Sequence, residues 1–354
     1  MTRTAGANLT IYSLAHGLID CACIAIIFRL FQTSSLAYPV LASLVLLYNV
    51  LAFAWQPVFG LMVDHWQKPR AAAVIGAGLT GLALLTFYYS PVWAIVFAGL
   101  GNALFHVGGG AISLGIWPGR AAAPGIFVAP GAVGLFIGAM LGGGSLPLVW
   151  PLFLLLVIFV FSAFAIKPQV LAYQQPPALK LPAGNFSLIF GLVFFTIVVR
   201  SLLGSVIILP WKSIFIWSII LIMAIFAGKI FGGIIGDRYG WKNTAALALI
   251  LAIPLLGFGA YNPALAIIGM MLVNITMPLT LTAMSNILPN HPAFAFGLTC
   301  LALTFGYLPS FLTIKSQLNS PWVIASIIGL AAVALYFAFS LYEKKYLKLN
   351  NQNL

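Results

Sequence analysis

The chain has 354 residues, of which 62% are hydrophobic and only 6% charged, and its mean hydropathy is +1.11. A soluble domain carries about 25% charged residues, so 16 Lys+Arg and 4 Asp+Glu cannot cover a water-facing surface of this size. A cytosolic enzyme, a nucleic-acid-binding module and a secreted domain are excluded. The net charge of +12 is scattered between apolar runs, where basic residues set topology and meet lipid headgroups. Cys21, Cys23 and Cys300 all lie inside apolar runs and imply no disulfide framework.

A helix needs about 20 apolar residues to cross the hydrocarbon core. Twelve such runs follow one another, punctuated by Pro, Gly, Asn and charge, at residues 9–32, 37–63, 71–89, 91–116, 122–142, 148–166, 186–205, 211–236, 243–260, 263–288, 293–314 and 321–342. The first run holds His16 and Asp20 and is too long for a cleavable signal. Arg3, Lys68, Arg70, Arg120, Lys167, Lys180, Arg238, Lys242, Lys344, Lys345 and Lys348 fall on one side of the alternating loops, and only Arg29, Lys212 and Lys315 on the other. The positive-inside rule then puts both termini in the cytoplasm. The expected setting is a bacterial inner membrane, crossed many times. The longest connection, KPQVLAYQQPPALKLPAG, sets the expected boundaries: a six-helix bundle at 1–166, a cytoplasmic linker at 167–185 and a second six-helix bundle at 186–354.

The two halves echo each other. Asp64 and Asp237 are 173 positions apart, Asn102 and Asn274 are 172 apart, Gly125 and Gly297 are 172 apart, and Pro118 and Pro289 are 171 apart. Duplicated six-helix bundles are a transporter architecture, with a solute site near the midplane.

The run GIIGDRYGWK at 233–242 carries Gly233, Asp237, Arg238, Gly240 and Lys242. It resembles the cytoplasmic loop signature of the major facilitator superfamily. A degenerate copy, GLMVDHWQKPR, keeps Gly60, Asp64, Lys68 and Arg70, but has His65 where Arg is usual and Gln67 where Gly is usual. The resemblance implies an all-α membrane protein of twelve transmembrane helices in two pseudo-symmetric bundles. It also implies that these loops gate the cytoplasmic side, through an acid near a helix N-terminus and nearby basic groups. With His65 in place of Arg, the first copy is expected to be the weaker latch. Within the superfamily, His16…Asp20, the run from Gly101 through Asn102 to Phe105 and His106, Arg200-Ser201 and Gly233…Arg238 are similar to the fosmidomycin-resistance branch of drug exporters. The chain departs from that branch after His106, where it reads Val107-Gly108-Gly109-Gly110 instead of Pro.

Charges at membrane depth are costly and mark functional candidates. Asp20 lies about 17 Å into a core about 30 Å thick. His16 is one turn away on the same face, and the superfamily resemblance places His106 beside that helix. These three are the expected proton-coupling groups. Arg200 and Lys229 of the second half, with Asn102 and Asn274, are the expected substrate-binding residues. They suit an anionic or amphiphilic solute. His16, Asp20, Cys23 and His106 raise the question of a metal carrier, but Cys21 and Cys23 point about 200° apart on a helix, and no metal site is expected. Gly134, Gly138 and Gly142 share one helix face after Pro130-Gly131, so another helix can pack close. Pro278 and Pro309 are expected kinks, and Trp66, Trp117, Trp211 and Tyr346 are expected interfacial anchors.

The chain therefore reads as a proton-coupled exporter of a small organic solute, working by alternating access as a monomer in contact with membrane lipid. It is not an enzyme and needs no cofactor: it shows no acid pair, metal box or GxxxxGK[ST] loop. An uptake symporter or facilitator on the same fold, or a transport-inactive scaffold or sensor, are the alternative readings.

Overall fold

A computed structural model describes residues 3–144, 149–166, 183–311 and 315–352. Every regular element among them is helical. The principal helices are α1 (Arg3–Thr33), α2 (Tyr38–Trp66), α3 (Pro69–Thr86), α4 (Pro91–Ile116), α5 (Ala122–Gly143), α6 (Val149–Ala165), α7 (Ala183–Val206), α8 (Phe215–Tyr239), α9 (Trp241–Gly257), α10 (Pro263–Ile287), α11 (Pro292–Tyr307) and α12 (Pro321–Gln352). Nine of these are long and apolar enough to cross a membrane, and α6, α9 and α11 are shorter apolar helices. They match the twelve expected spans one for one. Residues 167–182 of the expected linker lie outside the described residues.

Sequence chemistry sets the helix ends. Pro opens α3, α4, α10, α11 and α12, because its fixed φ suits the first turn and its missing N–H is not needed there. Asn262 caps α10, accepting from the N–H groups of Ala264 at 3.0 Å and Leu265 at 3.3 Å. Two ends differ from expectation. The eighth span begins only at Phe215, because Pro210–Ser213 forms a 3-10 turn. The eleventh ends at Tyr307, and Pro309 lies in the 3-10 turn Leu308–Phe311. Pro309 thus ends a helix instead of kinking one: the residue before a proline is pushed out of the α region. Trp211, expected at the interface, is buried, and its Nε1 donates to the Ala260 carbonyl at 2.9 Å.

Four described residues have a positive φ: Gln67 (53°), Gly119 (77°), Gly240 (89°) and Asn290 (63°). They form two repeat pairs, Gln67 with Gly240 and Gly119 with Asn290, at the offsets of 173 and 171 seen in the sequence. The repeat therefore extends to positive φ, although Gln67 (ψ 37°) and Gly240 (ψ 137°) differ in ψ.

The contacts divide the chain into two compact units. The first contains Met1–Ile116, Ile126–Gln174 and Asn290–Leu301. In it α4 packs on α3 and α1, and α6 lies against α3 and α1. The second contains Trp117–Gly125, Gln175–Pro289 and Ala302–Leu354. There α8 packs on α10, α9 lies against both α10 and α12, and α12 reaches α7.

Candidate functional site

The first unit buries a polar cluster among apolar helices. His16 and Asp20 stand one turn apart on α1, and Asn102 and His106 one turn apart on α4. All four are buried. The close approach of α5 is set by small residues. A Cβ on Gly134 would collide with the Gly17 carbonyl, one on Gly138 with the Cys21 carbonyl, and one on Gly142 would lie 2.5 Å from the Ala25 carbonyl. The glycine face read from the spacing thus meets α1 at positions that also recur every four residues. One turn earlier, a Cβ on Gly131 would lie 2.6 Å from Asp20 Oδ2 and 2.7 Å from His16 Nε2.

Backbone carbonyls fix the ring nitrogens. His16 Nδ1 lies 2.8 Å from the Phe127 carbonyl oxygen, and His106 Nδ1 lies 2.8 Å from the Asn102 carbonyl oxygen. A carbonyl only accepts, so each Nδ1 carries hydrogen. The two Nε2 atoms then face each other at 2.9 Å. Asp20 closes the triangle, with Oδ2 3.3 Å from His16 Nε2 and Oδ1 3.5 Å from His106 Nε2. Asn102 Nδ2 donates to Asp20 Oδ1 at 3.3 Å. Phe105, Phe127 and Phe296 wall the imidazoles: Phe127 lies 4.7 Å from the His16 ring and Phe296 6.3 Å from the His106 ring, centroid to centroid. Cys23 Sγ donates to the Ala98 carbonyl at 3.6 Å and is not one of the three converging groups.

These three groups place one ligand atom each within 4.8 Å of one another, a donor set that could also hold a metal ion. The spacing of the two Nε2 atoms is that of a hydrogen bond. Two imidazoles on one tetrahedral ion, at bonds of about 2.0–2.1 Å, stand about 3.3 Å apart, whereas 2.9 Å is a hydrogen-bond length.

Of the expected substrate-binding residues, Asn102 is thus committed to Asp20, and the other three lie in the second unit. Arg200 on α7 is half-buried, and its Nη1 donates to Thr280 Oγ1 on α10 at 3.2 Å. Asn274 donates to the Met270 carbonyl of its own helix at 2.8 Å. Lys229 is half-buried on α8.

In the expected gating motifs both acids meet helix N-termini, through backbone N–H groups. Asp64 Oδ1 accepts from Ala293 N at 3.1 Å and Oδ2 from Phe294 N at 2.8 Å, at the start of α11. Asp237 Oδ1 accepts from Ala121 N at 2.8 Å and Oδ2 from Ala122 N at 2.9 Å, at the start of α5, with Trp241 Nε1 adding a third bond at 3.0 Å. A Cβ on Gly60 would lie 2.6 Å from the Ala293 carbonyl, and one on Gly233 would collide with that of Ala121. The motif cations are engaged elsewhere. Arg70 lies over the Phe164 ring at 5.1 Å, Arg238 over Tyr239 at 5.4 Å, and Lys242 pairs with Glu343 at 3.3 Å. Lys68 flanks α3 as its N-terminal cap residue, and Gly240 supplies the positive φ between α8 and α9.

Sequence reasoning missed the Phe127 carbonyl, and it named Pro130-Gly131 without placing Gly131 against Asp20 and His16. The nearest signal was Pro130, whose missing N–H removes the helical donor of the Ile126 carbonyl, one residue before Phe127.

No protein-family model and no curated protein sequence matches the chain. Solved structures do. The human organic anion transporter MFSD10 (TETRAN) superposes with a TM-score of 0.68 at 14% identity, over 94% of this chain and 99% of that one. A bacterial homologue of the iron transporter ferroportin, in an outward-facing state, gives 0.65 at 15% identity, over 97% and 99%. The E. coli fucose:proton symporter FucP gives 0.64 at 12% identity, over 97% and 99%. FucP is a major facilitator superfamily transporter. At such identities the likeness establishes the fold, and the fold is that of the major facilitator superfamily.

Proposed function

We propose that this protein is a secondary active transporter that moves a small organic solute by alternating access, with proton coupling at His16, Asp20 and His106. The observation that carries the reading is the buried convergence of two imidazoles and a carboxylate on one point. A charge at membrane depth is retained where it moves protons, ions or substrate. The organic anion transporter and the fucose:proton symporter among the structural neighbours are consistent with such a role.

In this reading Arg200 and Lys229 draw an anionic or amphiphilic solute, and the halves 1–166 and 186–354 move about the linker. Asp64 and Asp237 latch the cytoplasmic ends of α11 and α5. The resemblance to the fosmidomycin-resistance branch favours export, by antiport, across a bacterial inner membrane, with both termini cytoplasmic and a single chain sufficing. The test is reconstitution into liposomes with an imposed pH gradient, screening small organic anions and amphiphilic drugs for flux. Flux that follows the gradient supports the proposal. Solute flux indifferent to the gradient and to a protonophore sinks the coupling.

A further inference from the structure

The coupling groups are two histidines and one aspartate, which on paper can carry three protons. The geometry permits far fewer. Each Nδ1 sits 2.8 Å from a backbone carbonyl oxygen, so each already holds a hydrogen that it cannot give up without setting two lone pairs against each other. If both imidazoles are neutral, both Nε2 atoms are bare acceptors, and two acceptors cannot rest at 2.9 Å. If both are imidazolium, two N–H groups point at each other. The one consistent state has a single proton between the two Nε2 atoms, with Asp20 as its counter-charge on both sides.

We infer that His16 and His106 form a single-proton site, in which one proton is shared between the Nε2 atoms and one proton is carried per cycle. This rests on the proton-coupling reading above and adds its count. The cluster is neutral when loaded: one imidazolium, one imidazole, one carboxylate. Release passes the Nε2 proton to water. It leaves a net negative charge at membrane depth and two opposed lone pairs, so α1 and α4 must part at this level or a new proton must arrive. Occupancy is thereby tied to helix position without any further device.

The other titratable groups near the site stay out of this count. Cys21 and Cys23 on α1, and Tyr48 on α2, are ordinarily uncharged and buried. From α5 and α11 the cluster is faced by Phe127, Gly131 and Phe296, which do not titrate.

The test uses the chain's four histidines. Protein labelled with 15N-histidine, treated with chelator and held at neutral pH in lipid, is measured by solid-state NMR. His65 and His291 are exposed and lie outside the cluster, so His65→Gln and His291→Gln assign the remaining signals even if the cluster variants fail to fold. The expected result is three protonated ring nitrogens among the four of His16 and His106: both Nδ1, and one shared across an Nε2–H···Nε2 bond. In Asp20→Asn the shared proton should be lost.

Two protonated nitrogens, four protonated nitrogens, or a bare Nδ1 would overturn the inference. So would Nε2 signals that move when the chelator is left out, which would assign the pair to a metal ion. The two proposals fail separately. A count other than three with gradient-driven flux intact removes the single-proton site and leaves coupling standing. A count of three with flux indifferent to the gradient leaves the shared proton and removes coupling.

Discussion

Asp64 and Asp237, 173 positions apart, make the same contact: each closes both carboxylate oxygens on two consecutive backbone N–H groups at the start of a helix, α11 for Asp64 and α5 for Asp237. A helix N-terminus offers unpaired donors and a positive dipole end, so a carboxylate is well matched there. Neither contact uses the residue that follows the acid. The two contacts share backbone partners of the same kind, although His65 stands in one copy where Arg238 stands in the other. Asp64→Asn and Asp237→Asn should shift the conformational balance by similar amounts. Hydrogen bonds to a charged group contribute about 1.5–3 kcal/mol, and moving an equilibrium from 1:9 to 9:1 takes about 2.6 kcal/mol. Labelling of a cysteine introduced beside the His16–Asp20–His106 cluster, with reagent applied from the side of these loops, reads this directly. Rates unchanged in both variants would leave the motif as a topology signal only.

The left-handed positions yield a stability prediction. Gln67 holds φ 53° where its repeat partner Gly240 holds 89°. A non-glycine side chain in the left-handed region is strained by roughly 1–2 kcal/mol. Gln67→Gly should raise the thermal midpoint of the detergent-solubilised protein, and Gly240→Ala should lower it. If both variants melt with the wild type, these loops do not limit stability.

Close helix packing can be tested at Gly134. A Cβ there collides with the Gly17 carbonyl, and the obstacle is backbone, which cannot rotate away. Gly134→Ala should destabilise by about 1–3 kcal/mol, the range for overpacking, and reduce the monodisperse yield. A control at Gly78, where a Cβ would have nothing within 4 Å, should behave as wild type. Equal behaviour of the two would show that α1 and α5 adjust freely.

The fold was largely legible in the sequence because membrane helices announce themselves: apolar length and flanking Pro, Gly and charge located all twelve. Where it was not, as at Pro210 and Pro309, a short 3-10 turn continued the apolar run without continuing the helix. His16, Asp20 and His106 stood out as ionisable groups within apolar spans of the first half. Their tautomers did not, because these depend on the Phe127 and Asn102 carbonyls, and a backbone acceptor 111 residues away from His16 leaves no mark in side-chain pattern. The partners of Asp64 and Asp237 were hidden for the same reason.

The proposed role of Arg200 makes a prediction about substrate charge. Its Nη1 donates to Thr280 Oγ1 at 3.2 Å, and a guanidinium carries five donors in all. Arg200→Ala should weaken binding of an anionic substrate about 10–150-fold, which corresponds to about 1.5–3 kcal/mol, and a neutral analogue much less. Equal losses for both ligands would reassign Arg200 to packing of α7 on α10.

Asp20→Asn is the sharpest test of coupling. The side chain keeps its size, and one oxygen remains to accept from Asn102, so α1 should still fold and insert. What disappears is the counter-charge that holds an imidazolium at this depth. Without it the shared proton between His16 and His106 has no compensation in a low-dielectric setting. Gradient-driven transport should then fall to the level of protein-free liposomes. Exchange of labelled for unlabelled solute, which needs no net proton movement, should persist, because Arg200 and Lys229, proposed to draw the solute, lie on α7 and α8. Both measurements are made on the same proteoliposomes, so protein loss cannot imitate the result: a misfolded variant fails both assays, and an uncoupled one fails only the first. Gradient-driven flux at the wild-type rate would remove Asp20 from coupling.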